Sequence, residues 1–231
     1  MRNKFFSKIL VVTLVILSSN LYAAAVEKSK SALVMIEYQN EWVADDGTLR
    51  HLLVKDETSF KSAIEHSKTL LATARKEGIT VIHVTLKPDT QYRIFGDAEF
   101  GIRAAIPNAK TWKGDMQSIH RDFMPTANEH VITERTGVSG FAGSNLDSFL
   151  RNNGIDTIFL AGFATHVCVE STLRDAHDKG YRTFVVTDAT GAFTQSQQSY
   201  FENEILHHFG HGVKSTQFIK TFDSSLGKAV E

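Results

Sequence analysis

The chemistry open to this sequence rests on three residues far apart in the chain: a carboxylate, Glu37, a guanidinium, Arg135, and the single thiol, Cys168. The thiol lies in FLAGFATHVCVESTLRDA (159–176), where an apolar run ends at Gly162, a short turn follows and a helical pattern begins. The first turn of a helix presents unpaired N–H groups and a partial positive charge. Both favour a thiolate, and the same N–H groups can receive the oxyanion formed when that thiolate attacks a carbonyl. The competing use of such a residue is packing, as a small side chain between Val167 and Val169. A lone cysteine forms no intrachain disulfide, so it is either inert or kept as a thiol for use.

The elements that must position these residues are legible as alternating apolar runs and amphipathic segments. SALVMIEYQ (31–39), ITVIHVTL (79–86), HVIT (130–133), TIFLAG (157–162) and RTFVVTDA (182–189) read as strands, with GVKST (212–216) as a last short one. SFKSAIEHSKTLLATARKEG (59–78) reads as a helix stopped by Gly78; 144–154, 167–180 and 196–210 read as further helices. Strands alternating with helices imply right-handed crossovers and a three-layer α/β/α domain around a mostly parallel central sheet. In such sheets ligands bind beyond the carboxyl ends of the strands. Glu37, Arg135 and Cys168 each follow a strand, so one crevice receives all three.

The N-terminal residues stand apart from this domain. MRNKFFSK is basic, ILVVTLVIL (9–17) is apolar apart from Thr13, and SSNLYAAA ends in small residues. That order is the pattern of a secretory signal peptide over residues 1–25, with cleavage after Ala23 or Ala25, and its apolar core is too short for a permanent anchor. A single domain over 26–231 is then expected, exported to the periplasm or secreted. With 25 basic and 26 acidic residues overall, and Arg2, Lys4 and Lys8 lost with the leader, the mature chain is mildly acidic. That balance argues against nucleic-acid binding and against stable membrane association.

The run LAGFATHVCVESTLRDAHDKGYRTFVVTDAT resembles the signature region of the isochorismatase-like, or cysteine hydrolase, superfamily. The matching positions are Gly162, Thr165, Cys168, Val169, Thr172, Asp175 and Ala176, then Gly180, Tyr181, Asp188 and Ala189. ALVMIEYQNEW is similar to the family's first strand and following D-x-Q-N-x-F, and VSGFAGSNLDSFLRNNG to its S-A-F-x-G-T-x-L segment. The resemblance covers nearly the whole mature chain except about Lys87 to Asn128. It implies a catalytic set of Cys168 as nucleophile, Glu37 at the position of the family's aspartate and Arg135 at that of its lysine. It also implies an oxyanion hole from the backbone N–H groups of Ala164 and Cys168, a cis peptide at Phe163–Ala164, and assembly as a homo-oligomer.

Both charged positions depart from the family pattern while keeping their sign. Glutamate is longer than aspartate by about 1.5 Å, and arginine carries a planar fork that does not deprotonate. A coupled swap, with the two re-spaced together, would keep the thiol activated, whereas two independent losses would leave a folded protein with an idle cysteine.

Around this set, Gln39, Trp42, Phe141, Thr165 and His166 are expected to contact a small-molecule substrate, with Trp42 and Phe141 as pocket walls. The segment 87–128, with Phe95, Phe100, Trp112 and Phe123, is expected to form a lid or subunit contact. No metal and no cofactor are expected: the region after ITVIHVTLKPD lacks the Asp-x-His of the nicotinamidases, His83 lies inside a strand, and His207, His208 and His211 lack zinc-type spacing. The expectation is a hydrolase that cleaves a small amide or related C–N bond through a thioester. A vinyl-ether hydrolase of isochorismatase type and a non-catalytic binding protein on the same fold are the alternatives.

Overall fold

A computed structural model of the chain describes residues 26–225; the expected leader, residues 1–25, lies outside the described residues. Six strands form one sheet in the order β3-β2-β1-β4-β5-β6, and every neighbouring pair is parallel. They are β1 (Ser31–Ile36), β2 (Thr80–Val84), β3 (His130–Ile132), β4 (Thr157–Phe163), β5 (Arg182–Gly191) and β6 (His211–Val213). The expected three-layer α/β/α architecture is present.

The period-two pattern of a doubly covered strand is visible in β1. Leu33 and Met35 enter one core layer, whereas Ala32, Val34 and Ile36 enter the other. The longest helix, α3 (Glu57–Glu77), follows the short α1 (Asn40–Val43) and α2 (Thr48–Leu53). It is capped by Asp56, which accepts from Ser59 N at 3.1 Å, and ends at Gly78 in the left-handed conformation. Its buried stripe, including Phe60, Ile64, Leu70 and Leu71, covers the first face. The opposite face is covered by α5 (Leu146–Asn152), α6 (Glu170–Asp178) and the segment α7 (Gln195–Tyr200) to α8 (Leu206–Phe209).

Two regions differ from the expected elements. The aperiodic stretch after β2 contains α4 (Gly101–Asn108) among 3-10 turns, a helix too short and too broken by Pro107 to show a clear period. The chain after β6 forms α9 (Ser215–Phe222), whose Phe218 and Phe222 pack on Phe159 at centroid distances of 5.0 and 5.4 Å. Their i, i+4 spacing is helical, so the strand stops at Val213. Among the described residues no helix is long and apolar enough to cross a membrane.

The sheet order reverses between β1 and β4, which makes a crevice at their carboxyl ends. At that point Gly162 pairs with Ile36 and has φ +130°; an added Cβ would lie 2.0 Å from the Ile36 carbonyl oxygen. Gly162→Ala should therefore lose far more stability than Gly78→Ala. A Cβ at Gly78 meets nothing within 4 Å, and that change should cost only the ~1–2 kcal/mol of a left-handed residue. Urea midpoints of the two variants check the order; equal losses would contradict the close approach.

Candidate active site

The loops beyond β1, β3 and β4 bring the three separated residues together. Glu37 follows β1 directly with φ +58°, a left-handed conformation unusual for a residue with a side chain. Its N–H is held by Val84 O at 2.8 Å. After β4 the Phe163–Ala164 peptide is cis, as the resemblance implied. A π-helical turn, Thr165–Val169, then leads into α6 and carries Cys168. The Ala164 carbonyl accepts from Val167 N at 3.0 Å and Val169 N at 3.3 Å, which fixes this turn. Arg135 sits in the loop after β3, where its Nη1 donates to Val138 O at 3.0 Å.

The convergence point is the Glu37 carboxylate. Cys168 Sγ donates to Oε1 at 3.0 Å, Arg135 Nη2 donates to the same oxygen, and Trp42 Nε1 donates to Oε2 at 2.8 Å. Glu37 and Arg135 are each 2 % exposed and Cys168 6 %. The longer acid and the guanidinium therefore meet as a buried ion pair, with the thiol against the acid.

This environment reverses the expectation of a thiolate drawn from the helix terminus alone. Burial pushes the Cys168 thiol well above its ordinary value, the Glu37 charge pushes it further, and Arg135 only partly opposes them. Burial acts to lower the pKa of Arg135, but attraction by the Glu37 carboxylate outweighs it and the value is raised. The resting group is a neutral thiol, hydrogen-bonded to the carboxylate that can take its proton.

These residues form the floor of a narrow cleft. Trp42, Phe95, Ile106, Trp112 and Phe193 supply much of its wall, and Ala164 lines it beside Cys168. Trp42 stands edge-on to Trp112 at 5.8 Å and lies 5.6 Å from Phe193.

The other expected contact residues are placed differently. Gln39 is spent on backbone: its Nε2 donates to Leu86 O at 2.8 Å and Gln117 O at 2.5 Å, and its Oε1 accepts from Leu86 N at 2.8 Å. Phe141 does not line the cleft; it stacks on Tyr181 at 5.8 Å in the core layer behind Cys168. Thr165 is fully buried and donates to Gln198 Oε1 at 2.7 Å. The His166 ring stands edge-on to Phe193 at 4.7 Å, one shell behind the wall, and burial lowers its pKa. Of the aromatics in the 87–128 segment, Phe95 and Trp112 cover the cleft, Phe123 packs on Tyr38 at 4.4 Å, and Phe100 is 84 % exposed.

Comparison with known proteins fits this arrangement. The family described as Isochorismatase domain matches residues 31–217. The chain belongs to the isochorismatase family. Its relatives include ureidoacrylate amidohydrolase RutB of Yersinia enterocolitica, 34 % identical over 176 residues, covering 70 % of this chain and 75 % of that protein. An uncharacterized isochorismatase family protein, YrdC of Bacillus subtilis, is 26 % identical over 193 residues, 83 % of this chain and 90 % of that one. An isochorismatase family protein from Burkholderia thailandensis has the same fold, with a TM-score of 0.73 at 22 % identity, over 86 % of this chain and 98 % of that one. N-carbamoylsarcosine amidase from Thermoplasma acidophilum superposes with a TM-score of 0.59 at 27 % identity, over 80 % and 96 % of the two chains. The family is thus one of hydrolases that include amidohydrolases.

Within this isochorismatase-family domain, sequence reasoning missed Glu41, which is fully buried one residue before Trp42. It accepts from Leu49 N at 2.6 Å, Trp112 N at 3.2 Å and the Thr111 hydroxyl, tying α1 to the segment over the cleft. Cleft residues Arg103 and Phe193 were also missed, because neither carries a motif and both reach the site only through the fold. Among the described residues no three His, Cys, Asp or Glu side chains cluster so as to hold a metal ion.

The raised thiol pKa predicts a pH midpoint for iodoacetamide alkylation of Cys168 above the reference ~8.5. Glu37→Gln removes a charge that opposes ionisation and should lower the midpoint; Arg135→Gln removes one that favours it and should raise it further. A wild-type midpoint below the reference would contradict the neutral resting thiol.

Proposed function

We propose that this protein is an exported cysteine hydrolase that cleaves a small amide or related C–N bond through a thioester on Cys168. The observation that carries the reading is the thiol directed at a buried carboxylate, Sγ to Oε1 at 3.0 Å, on the floor of an apolar cleft. The named activities of the relatives RutB and N-carbamoylsarcosine amidase support the bond class. Export rests on the pattern of residues 1–25, and self-assembly on the family resemblance, with the exposed Phe100 available as a contact.

The geometry suits the following sequence of steps. As Sγ attacks the carbonyl carbon, its proton passes to Glu37, so no free thiolate precedes the substrate. The proton transfer neutralises Glu37 while Arg135 keeps a fixed positive charge beside the developing anion. The carbonyl oxygen becomes an oxyanion, for which the N–H groups of Ala164 and Cys168 are the proposed donors. Collapse breaks the C–N bond, and Glu37 returns the proton to the departing amine. Water, deprotonated by Glu37, then attacks the thioester, releases the acid and restores the thiol. Arginine supplies charge without exchanging protons, so the acid alone carries the proton through both halves.

Ammonia release from 3-ureidoacrylate and N-carbamoylsarcosine tests this reading. Cys168→Ala should reduce turnover to background, and Glu37→Gln should lose at least ~100-fold, the lower range of general acid–base effects. Glu37→Asp and Arg135→Lys should each lose roughly 100-fold through misplacement of about an ångström, and the double variant should recover much of the loss. Unchanged turnover in Cys168→Ala would overturn the mechanism. Binding without turnover in the wild type would leave a binding protein on this fold.

A further inference from the structure

The cleft carries one charge that the proposed mechanism does not use. Three of its lining residues are ionisable cations or anions at neutral pH: Glu37, Arg135 and Arg103. On the floor, Glu37 and Arg135 neutralise each other in direct contact. Arg103, from α4, is exposed and forms no ion pair among the described residues. Its guanidinium is nonetheless held in place. Nη2 donates to Phe95 O at 2.7 Å, and the same nitrogen would lie 3.9 Å from a Cβ built on Gly96. The side chain thus rests on the Phe95–Gly96 turn, whose phenylalanine is itself a cleft wall.

From this we infer that Arg103 is the specificity-determining residue of the cleft and selects substrates bearing a carboxylate at the end remote from the scissile amide. The inference rests on the proposed amide hydrolysis for which end of the substrate meets Cys168. With the floor internally neutral, the lining as a whole carries a net charge of one guanidinium. A single carboxylate matches that charge, whereas a phosphate dianion would bring a second negative charge with no cation to meet it. A guanidinium with one nitrogen anchored keeps further N–H donors in a planar fork, the geometry that carboxylates accept. The apolar walls between floor and mouth suit a short apolar spacer between amide and acid.

Binding is measured by calorimetry on Cys168→Ala protein, so that turnover does not intervene. The probes are 3-ureidoacrylate, N-carbamoylsarcosine and 4-ureidobenzoate, each paired with its neutral methyl ester. At least one acid is expected to bind about tenfold or more tightly than its ester, and added salt should narrow the ratio. Arg103→Gln should bring that ratio to within about twofold by weakening the acid and leaving the ester unchanged, and Arg103→Lys should keep part of the preference. If no acid in the set is preferred to its ester, or if the preference survives Arg103→Gln, the inference fails. Failure of the catalytic reading is a separate result: turnover by wild-type protein that does not depend on Cys168, whatever the acid-to-ester ratio.

Discussion

The Glu37 carboxylate is the constraint on which the site depends. It sits at 2 % exposure and accepts from a thiol, a guanidinium and an indole. A buried charge of this kind persists only when paired and hydrogen-bonded, and replacing such a pair with apolar residues often costs nothing in stability. In the proposed reaction its value is chemical: the carboxylate holds the thiol neutral and would keep a proton acceptor within reach at the moment of attack. Removing Arg135 alone would strand the buried Glu37 charge.

The fold meets this constraint by placing three loop-borne groups at one edge of a parallel sheet. The reversal of strand order between β1 and β4 opens the crevice, and Gly162 lets those strands meet where any side chain would strike the Ile36 backbone. The π-helical turn then lowers Cys168 onto the carboxylate. Strands buried on both faces leave no freedom for this edge to drift, so the geometry of reactive atoms inherits the rigidity of the core.

The cover over the cleft is built by different means. The segment between β2 and β3 has little regular structure, yet buried polar side chains pin it. Gln39 bonds the backbone at Leu86 and Gln117, and Glu41 bonds the backbone of Trp112 and the hydroxyl of Thr111. Both braces flank Asn40 in the sequence next to Glu37, so the stretch that carries Glu37 also fastens the cover over the cleft. Such backbone bonds hold a loop without demanding a hydrophobic period.

How much of this was legible in the sequence follows from the range of the forces involved. Alternating apolar runs and helical stripes are local signals, and they determined the parallel α/β architecture and most strands and helices; the family was legible only through its resemblance at motif positions such as Gly162, Thr165, Cys168 and Asp175. The position of Cys168, Glu37 and Arg135 after strands placed them at one crevice, because a parallel sheet collects its strand ends. What the sequence by itself left open was set by contacts between segments remote in the chain. The helix terminus beside Cys168 suggested a thiolate; only the tertiary burial and the approach of Glu37, 131 residues away, made it a thiol. Gln39, Thr165 and Phe141 have the residue types of a binding site, yet their partners turned them inward to backbone, Gln198 and Tyr181. Arg103 and Phe193 carry no motif and became cleft residues through the packing of α4 and the loop after β5. Desolvation and charge proximity depend on distances that only the folded chain defines, and those distances decided the chemistry of the site.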